Sequence, residues 1–197
     1  MKVIVLSGTP GTGKTTISNE ISKLINVKVI TLNEIAISKK FTLSYDKQRE
    51  TLIIDEGKII SYLKGQIIAL NKEGIEFLII ESHFSDIVPD NFIDYAIILR
   101  CDPDILRERL EKRGYKKEKI IENIQSEILG NCVNYFMKKE IKAPLLEIDT
   151  TDLDVKTVSD IIIKLIIDEK DIERYYVGKV DWLEKIYNEN RLNEFFE

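Results

Sequence analysis

Three glycines, one lysine and several threonines lie close together in one segment near the start of the sequence, Gly8-Thr9-Pro10-Gly11-Thr12-Gly13-Lys14-Thr15-Thr16. Its spacing is G-x-x-x-x-G-K-[ST], in which Gly8, Gly11 and Gly13 let backbone N–H groups converge on an anion at a helix N-terminus. An apolar strand pattern precedes the segment and a helical pattern follows it, which is the context that this motif requires. The segment therefore predicts a loop that binds the phosphates of ATP.

Three side chains of this loop have separate expected roles. Lys14 supplies a positive charge to the β- and γ-phosphates, the Thr15 hydroxyl ligates Mg²⁺, and Thr16 lies within reach of the α-phosphate. A GTPase would normally also carry N-K-x-D, and the nearest approach, Asn71-Lys72-Glu73-Gly74, fails at its fourth position. The chemistry expected of the loop is phosphoryl transfer that uses ATP and Mg²⁺.

Two further chemical groups, Glu81 and His83, follow the third predicted strand. A carboxylate at that strand end lies across from the loop threonine, so Glu81 is expected to hold Mg²⁺ or its water. His83 is the single histidine of the sequence and could orient a water molecule or the phosphate acceptor. A purely structural role for His83 is the alternative.

Arginines are concentrated in the segment Arg107-Glu108-Arg109-Leu110-Glu111-Lys112-Arg113. Arg109 and Arg113 are four residues apart and share a helix face. Phosphoryl transfer needs cations around the transferred group and a lid that excludes water, so both are candidate catalytic residues. The alternative is an exposed helix whose charges pair in solvent, and it fits Arg107 best.

Short apolar segments alternate with helical patterns along the chain. Strands are predicted at residues 2–7, 27–30, 77–80, 95–99 and 145–148, and helices at 15–25, 31–39, 57–70, 103–113, 117–140 and 155–167. This order predicts an α/β protein with the three-layer P-loop NTPase fold and a five-stranded parallel sheet. Ligands of such sheets bind at the carboxyl ends of the strands, where the candidate residues lie. Residues 41–56 are interpreted as a polar excursion.

The chain has 197 residues, 44% of them hydrophobic, and a net charge of −5. The length indicates one α/β domain with at most a small appendage. The acidic balance argues against a surface devoted to nucleic acid, so no sequence-specific nucleic-acid binding is expected. No apolar run approaches the roughly 18 residues of a membrane span, and Cys101 and Cys132 lack CxxC spacing, so we expect a soluble, cytoplasmic protein with reduced thiols.

Several segments together resemble the adenylate kinase isoenzyme 6 family, also called the CINAP type. The similarity covers residues 3–165 and rests on the loop at Gly8 to Thr16, on Glu81-Ser82-His83, on Arg109-Leu110-Glu111-Lys112-Arg113-Gly114-Tyr115 and on Glu122-Asn123-Ile124-Gln125-Ser126-Glu127-Ile128. The last two segments are the more diagnostic, because many families share the loop. The family has aspartate where Glu81 stands, and this departure bears on how Mg²⁺ would be held.

The resemblance implies a nucleoside monophosphate kinase fold in residues 1–167, with a short acceptor-binding region at 31–54 and a short lid at 112–122. It implies reversible transfer of the ATP γ-phosphate to AMP or another nucleoside monophosphate, together with ATPase activity. The implied ATP contacts are Gly11, Gly13, Lys14, Thr15, Thr16 and Arg113. It also implies a role in maturation of the 30S subunit and 16S rRNA, with a ribosomal protein of the uS11 type as partner.

The acceptor region leaves other functions open. Residues 31–54 contain one arginine, Arg49, whereas arginines of this region clamp the AMP phosphate in a typical adenylate kinase. One alternative is an assembly factor whose nucleotide is a conformational switch, with negligible kinase turnover. Another is a P-loop kinase for a different small molecule, of the shikimate or gluconate type.

Residues 168–197 form a C-terminal extension beyond the clear resemblance. Near-helical spacing of apolar residues predicts a helix over 180–196, with Val180, Leu183, Ile186, Tyr187 and Leu192 as its apolar positions. Such a helix either docks on the core of the protein or binds a partner, in which case Trp182 and Tyr187 are the expected anchors.

Overall fold

The computed structural model describes residues 1–47, 49 and 51–196. Gln48 and Glu50 of the predicted acceptor region and Glu197 of the predicted extension lie outside the described residues. The strands of the described part are β1 (Lys2–Gly8), β2 (Val27–Thr31), β3 (Thr42–Asp46), β4 (Thr51–Ile54), β5 (Phe77–Glu81), β6 (Tyr95–Arg100) and β7 (Leu145–Asp149). Five of them form a parallel sheet in the order β2-β5-β1-β6-β7, which confirms the predicted sheet.

Helices cover both faces of this sheet. The α-helices of the described part are α1 (Lys14–Leu24), α2 (Leu32–Ser38), α3 (Glu56–Lys72), α4 (Pro103–Lys112), α5 (Lys117–Ile128), α6 (Asn131–Lys139), α7 (Val155–Ile167), α8 (Trp182–Asn188) and α9 (Leu192–Phe196). Residues of α1 and α7 pack on one face, and residues of α2, α3 and α6 pack on the other. Every residue of β5 and β6 is consequently buried, as expected of parallel strands between two helical layers.

The register of the sheet brings the carboxyl ends of its strands together. Gly8 pairs with Leu99, and Thr31 pairs with Glu81. Arg100 of β6 pairs in turn with Asp149 of β7. The start of the phosphate loop, the candidate carboxylate and the ends of β6 and β7 therefore share one edge of the sheet, as predicted.

The interpretation of residues 41–56 as a polar excursion was wrong, because two strands lie within it. β3 and β4 pair antiparallel, with Tyr45 opposite Leu52 and Asp46 opposite Thr51. Their residues are all exposed or partly exposed. Because neither strand contains a buried residue, pairing between the two segments decides the structure.

The helix predicted over 117–140 is interrupted. Gly130 has a φ of 62°, in the left-handed region, and separates α5 from α6. Glycine adopts this conformation without a steric penalty, and it is the usual residue just beyond a helix end. The break redirects the chain, so that α6 packs under the sheet while α5 packs against α4.

The tail contains two short helices where one was predicted. Asn190, with a φ of 55°, lies between α8 and α9. Ile186 and Phe195 are buried in a cluster with residues of α4 and α5, whereas Tyr187 is 65% exposed. The tail therefore docks on the protein itself, in line with the first of the two expectations. Among the described residues no helix is long and apolar enough to span a membrane.

Candidate active site

The predicted phosphate loop connects β1 to α1. Gly8 has a φ of 137°, and a Cβ atom there would collide with the carbonyl oxygen of Leu99. Gly11 has a φ of 100°, and its Cβ atom would lie 2.6 Å from Cδ1 of Leu106. Both positions require glycine, because the backbone is left-handed and lies against β6 and α4. This close packing leaves room for the loop backbone alone, as a preformed anion site requires.

The ammonium group of Lys14 is turned into the loop. Its Nζ donates hydrogen bonds to the carbonyl oxygens of Gly8, at 2.5 Å, and Thr9, at 3.0 Å. Burial, helped by the positive charge of Arg113 and opposed by nearby groups such as the Glu81 carboxylate, lowers the pKa of Lys14 to about 8. A phosphate beside this incompletely compensated cation would be bound strongly and would restore its pKa.

Glu81 lies at the end of β5 and is 1% exposed. Its Oε1 accepts a hydrogen bond from the Thr31 hydroxyl at 2.9 Å, and its Oε2 accepts one from Ser18 of α1 at 3.3 Å. Thr15 is exposed in the first turn of α1. Across the described residues, no three His, Cys, Asp or Glu side chains are grouped to hold a metal ion. One carboxylate and one hydroxyl suit Mg²⁺, because this ion keeps several waters and binds substrate phosphates.

His83 lies just beyond β5 and is partly buried. Burial, together with the positive charges of Lys14 and Lys119, lowers the pKa of His83 to about 4. The imidazole is therefore neutral near pH 7, with one N–H donor and one acceptor nitrogen. The backbone carbonyl of His83 accepts a hydrogen bond from the Cys132 thiol of α6 at 3.7 Å, which ties this turn to the layer below the loop.

A cavity of about 220 Å³ opens on the side of the loop that faces α4 and α7. It is lined by Gly11, Thr12, Gly13, Thr16, Ile17, Arg109, Arg113, Thr150, Leu153, Val155 and Val158. The guanidinium of Arg109 donates to the carbonyl oxygen of Thr150 at 2.9 Å and to its hydroxyl at 3.2 Å. Arg109 is thus held between α4 and the segment after β7, with part of its side chain in the cavity wall.

The other two arginines of the cluster point to different places. Arg113 follows the last residue of α4, is exposed and lines the same cavity as the loop glycines. Arg107 instead pairs with Glu194 at 3.0 Å and lies over the ring of Phe195, with its guanidinium carbon 5.1 Å from the ring centroid. The structure therefore brings Arg109 and Arg113 to the phosphate loop and directs Arg107 to the C-terminal tail.

A hydrogen bond joins the predicted acceptor region to the predicted lid. Nζ of Lys119, near the start of α5, donates to the Thr51 hydroxyl of β4 at 2.9 Å. The side chain of Lys119 is 24% exposed, and its charge acts on His83. Arg49, the arginine of the predicted acceptor region, is exposed in the turn of the hairpin. Lys119, which also pairs with Glu122 at 2.9 Å, is therefore a cation of the predicted lid that the sequence patterns do not single out.

Glu127 of α5 is a second residue that was not assigned a role. It is 2% exposed, and its Oε2 accepts a hydrogen bond from the Thr9 hydroxyl of the phosphate loop at 2.5 Å. The segment from Glu122 to Ile128 carries part of the family resemblance, but a carboxylate in a helix gives no local sign of its partner. A charged residue among apolar neighbours on the inner face of a helix was the available signal.

Known proteins are similar to this chain over nearly its whole length. Residues 4–130 match the AAA domain family. A protein of Methanocaldococcus jannaschii named "Putative adenylate kinase" is 38% identical over 185 residues, which are 94% of this chain and 95% of that protein. A protein of the same name from Archaeoglobus fulgidus is 33% identical over 98% of this chain and 97% of its own length. The chain therefore belongs to the AAA domain family and to the same family as these archaeal proteins.

Solved structures of two kinases share the fold of the family at lower identity. Deoxyadenosine kinase from M. mycoides, with the products dCMP and dCDP bound, has a TM-score of 0.51 and 22% identity, and the match covers 84% of this chain and 99% of that one. Shikimate kinase from Acinetobacter baumannii, in complex with shikimate, has a TM-score of 0.58 and 14% identity, with 87% and 96% covered. At these identities the likeness shows the fold alone, and it confirms the predicted P-loop fold.

Proposed function

We propose that this protein is a nucleoside monophosphate kinase that transfers the γ-phosphoryl group of ATP to AMP or another nucleoside monophosphate, and that it also hydrolyses ATP. The main support is the Lys14 ammonium, held in a phosphate loop beside a cavity lined by Arg109 and Arg113. The acceptor class is taken from the names of the archaeal relatives.

The donor nucleotide would lie along the loop. Lys14 and the loop amides, with Gly8, Gly11 and Gly13 as conformational requirements, would hold the β- and γ-phosphates, and Thr16 would reach the α-phosphate. Arg109, fixed by Thr150, and Arg113, at the start of the proposed lid, would place positive charge around the transferred group. The exposure of Arg113 fits a residue that closes over bound nucleotide.

Thr15 and Glu81 would hold Mg²⁺. When bound, this ion neutralises the negative charge that develops on the phosphate oxygens during transfer. The hydroxyl groups of Thr31 and Ser18 already orient the Glu81 carboxylate, and each of its oxygens has a further lone pair for a metal-bound water. Glutamate in place of aspartate extends the carboxylate by one methylene, and this difference is compatible with a contact through water.

The acceptor phosphate would lie between the phosphate loop, His83 and the β3–β4 hairpin. A phosphate monoester, whose second pKa is about 6, is mostly a dianion at neutral pH, so its oxygen can attack without a general base. A neutral imidazole suits this chemistry, because its N–H can orient an acceptor oxygen or a water molecule without adding charge. We assign His83 this positioning task and Lys119 the task of binding the acceptor phosphate.

A cellular role in 30S subunit and 16S rRNA maturation, with a uS11-type ribosomal protein as partner, is proposed from the resemblance to the isoenzyme 6 family. Net charge of −5 is compatible with a basic protein tail as ligand. In the alternative assembly-factor function, the nucleotide acts as a switch and kinase turnover is negligible. The scarcity of arginine in residues 31–54 is the observation that favours this alternative.

The decisive experiment measures ADP formation from ATP and Mg²⁺ by the purified protein, with and without AMP. A monophosphate kinase forms two ADP for each ATP consumed, and AMP strongly stimulates the reaction. Slow hydrolysis that is indifferent to AMP would favour the switch function, to be tested by binding to the ribosomal protein with ADP or a non-hydrolysable ATP analogue. Turnover with shikimate or gluconate in place of AMP would instead show a different small-molecule kinase.

A further inference from the structure

The buried carboxylate of Glu127 links the phosphate loop to the C-terminal tail. On one side, Oε2 accepts a hydrogen bond from the Thr9 hydroxyl at 2.5 Å. On the other side, Oε1 accepts three hydrogen bonds. They come from Nε of Arg100 at 2.8 Å, the backbone N–H of Cys101 at 3.1 Å and the indole N–H of Trp182 at 3.2 Å. A single side chain thus connects the loop, the end of β6 and the first residue of α8.

A second buried carboxylate, that of Glu147, also holds the tail and is joined to Glu127 through Arg100. Oε1 of Glu147, on β7, accepts three consecutive backbone N–H groups, from Gly178 at 2.9 Å, Lys179 at 2.6 Å and Val180 at 2.8 Å. Its Oε2 lies 3.1 Å from Arg100, whose guanidinium therefore joins both carboxylates. Burial alone would lower the pKa of Arg100, but the two carboxylates raise it, so the cluster stays charged.

We propose that Glu127 is a positioning residue for the phosphate loop, and that residues 178–182 of the tail act through it on nucleotide binding. The inference rests on the proposed nucleotide site and assigns the tail a part in it. The tail is then an element of the nucleotide site, attached to it by hydrogen bonds to buried carboxylates.

The path from the tail to the phosphates follows from the contacts of Thr9. Its hydroxyl is held by Glu127, while its carbonyl oxygen accepts hydrogen bonds from the Lys14 ammonium at 3.0 Å and from the Thr12 hydroxyl at 2.9 Å. The orientation of Thr9 therefore sets the position of one of the two loop carbonyls that accept hydrogen bonds from Lys14, the other being that of Gly8. Without the Trp182 donor, the carboxylate loses one of the contacts that fix its rotation, and the position of Thr9 becomes less defined.

The position of Trp182 provides a direct measurement, because it is the single tryptophan of the sequence. We expect ADP with Mg²⁺ to change the emission of Trp182, since a change at Thr9 alters the carboxylate that its indole N–H contacts. The same titration followed by calorimetry gives the affinity independently of the fluorescence. A purely structural tail would leave the emission unchanged at saturating ADP.

Variants of Thr9 and Trp182 test whether each of these contacts contributes to the affinity for ADP. Thr9→Val removes the hydroxyl and should weaken ADP binding by about tenfold, a typical loss for one hydrogen bond to a charged group. Thr9→Ser should restore most of that loss. Trp182→Phe keeps an aromatic ring without the N–H and should weaken binding by roughly threefold, since a single neutral donor is lost. Tyr187→Phe, in the same helix but exposed, is the matched control and should bind as the unaltered protein does.

The outcomes separate this inference from the proposed function. Absence of ADP binding in calorimetry would overturn both. Binding with no change in Trp182 emission, or with undiminished affinity in Thr9→Val, would overturn the role of Glu127 and leave the kinase proposal intact. If Thr9→Val fails to fold, as judged by circular dichroism, Trp182→Phe decides the question, and an affinity equal to that of Tyr187→Phe counts against the inference.

Discussion

The ammonium of Lys119 donates a 2.9 Å hydrogen bond to the hydroxyl of Thr51 and so joins helix α5 to the β3–β4 hairpin. The hairpin belongs to the expected acceptor region, and α5 begins within the expected lid. The contact therefore lies where the two segments that enclose an acceptor would meet. Burial, followed by the positive charges of Lys14 and Lys119, lowers the pKa of His83, so the charge of Lys119 reaches the imidazole.

Lys119→Met should raise KM for AMP by about tenfold and leave KM for ATP nearly unchanged, because one charge-assisted contact to the acceptor phosphate is lost. Initial-rate kinetics with each substrate varied in turn measures the two constants. Lys117→Met, an exposed lysine in the same turn of α5, is the control and should change neither. Equal increases in both KM values would assign Lys119 to lid structure in place of acceptor binding.

Nucleotide binding should take up protons at alkaline pH, because the pKa of Lys14 is lowered to about 8 in the free protein and a bound phosphate raises it. At pH 8.5, roughly three quarters of the Lys14 side chains are neutral before binding and charged afterwards. Calorimetry of ADP binding in two buffers with different ionisation enthalpies measures this uptake. Affinity should accordingly fall as pH rises above 8.

Lys14→Ala is the control for this proton uptake. The variant should lose the uptake and nearly all phosphoryl transfer, while the far-ultraviolet circular dichroism of the folded protein is retained. Proton uptake that persists in Lys14→Ala would show that another group titrates. Unchanged turnover in the variant would contradict the central role of the loop.

His83 should titrate near pH 4, because its pKa is lowered to about 4 by burial and by Lys14 and Lys119. Since the sequence has one histidine, its imidazole proton resonances can be followed by NMR without assignment. In the unfolded chain the group titrates near 6.5, so the unfolded state binds the proton first as pH falls. Stability from this group is therefore complete above about pH 6.5 and decreases toward pH 4.

A variant tests both the stability and the activity assigned to His83. His83→Gln should remove the part of the pH dependence of unfolding that lies between about pH 6.5 and 4, an effect of at most about 3 kcal/mol. Urea unfolding at several pH values measures it. His83→Ala should lower kcat for transfer to AMP, and full kinase and ATPase rates in that variant would leave His83 with a structural role only.

The ion cluster of Arg100 should dominate the stability of the tail and of the edge of the sheet beside it. Arg100 is 4% exposed, and Arg100→Met would leave the carboxylates of Glu127 and Glu147 buried without their cation. The expected loss in the free energy of unfolding is about 3–5 kcal/mol, measured by urea denaturation. Lys112→Ala, which removes an exposed 3.4 Å pair with Glu108, is the control and should cost less than about 1 kcal/mol. Similar losses in both variants would contradict the importance of burial.

Local sequence patterns were sufficient for the central part of the fold. The five strands of the sheet are apolar runs, and the sheet buries both of their faces, so the patterns are visible without knowledge of their partners. The glycine spacing predicted the loop, and the helix predicted from residue 103 begins there as α4, where the Asp102 carboxylate accepts a hydrogen bond from the backbone N–H of Asp104 at 2.9 Å. These features depend on neighbours in the chain, and the sequence therefore determined them.

Contacts between distant parts of the chain decided the rest. The residues of β3 and β4 are exposed or partly exposed, so only the pairing of the two segments forms the hairpin. The partners of Glu127 come from residues 9, 100, 101 and 182, and Lys119 meets Thr51 across 68 positions. Hydrogen bonds and charge pairs of this kind depend on the tertiary structure to bring the groups within a few ångströms, whereas spacing in the sequence reports only local geometry.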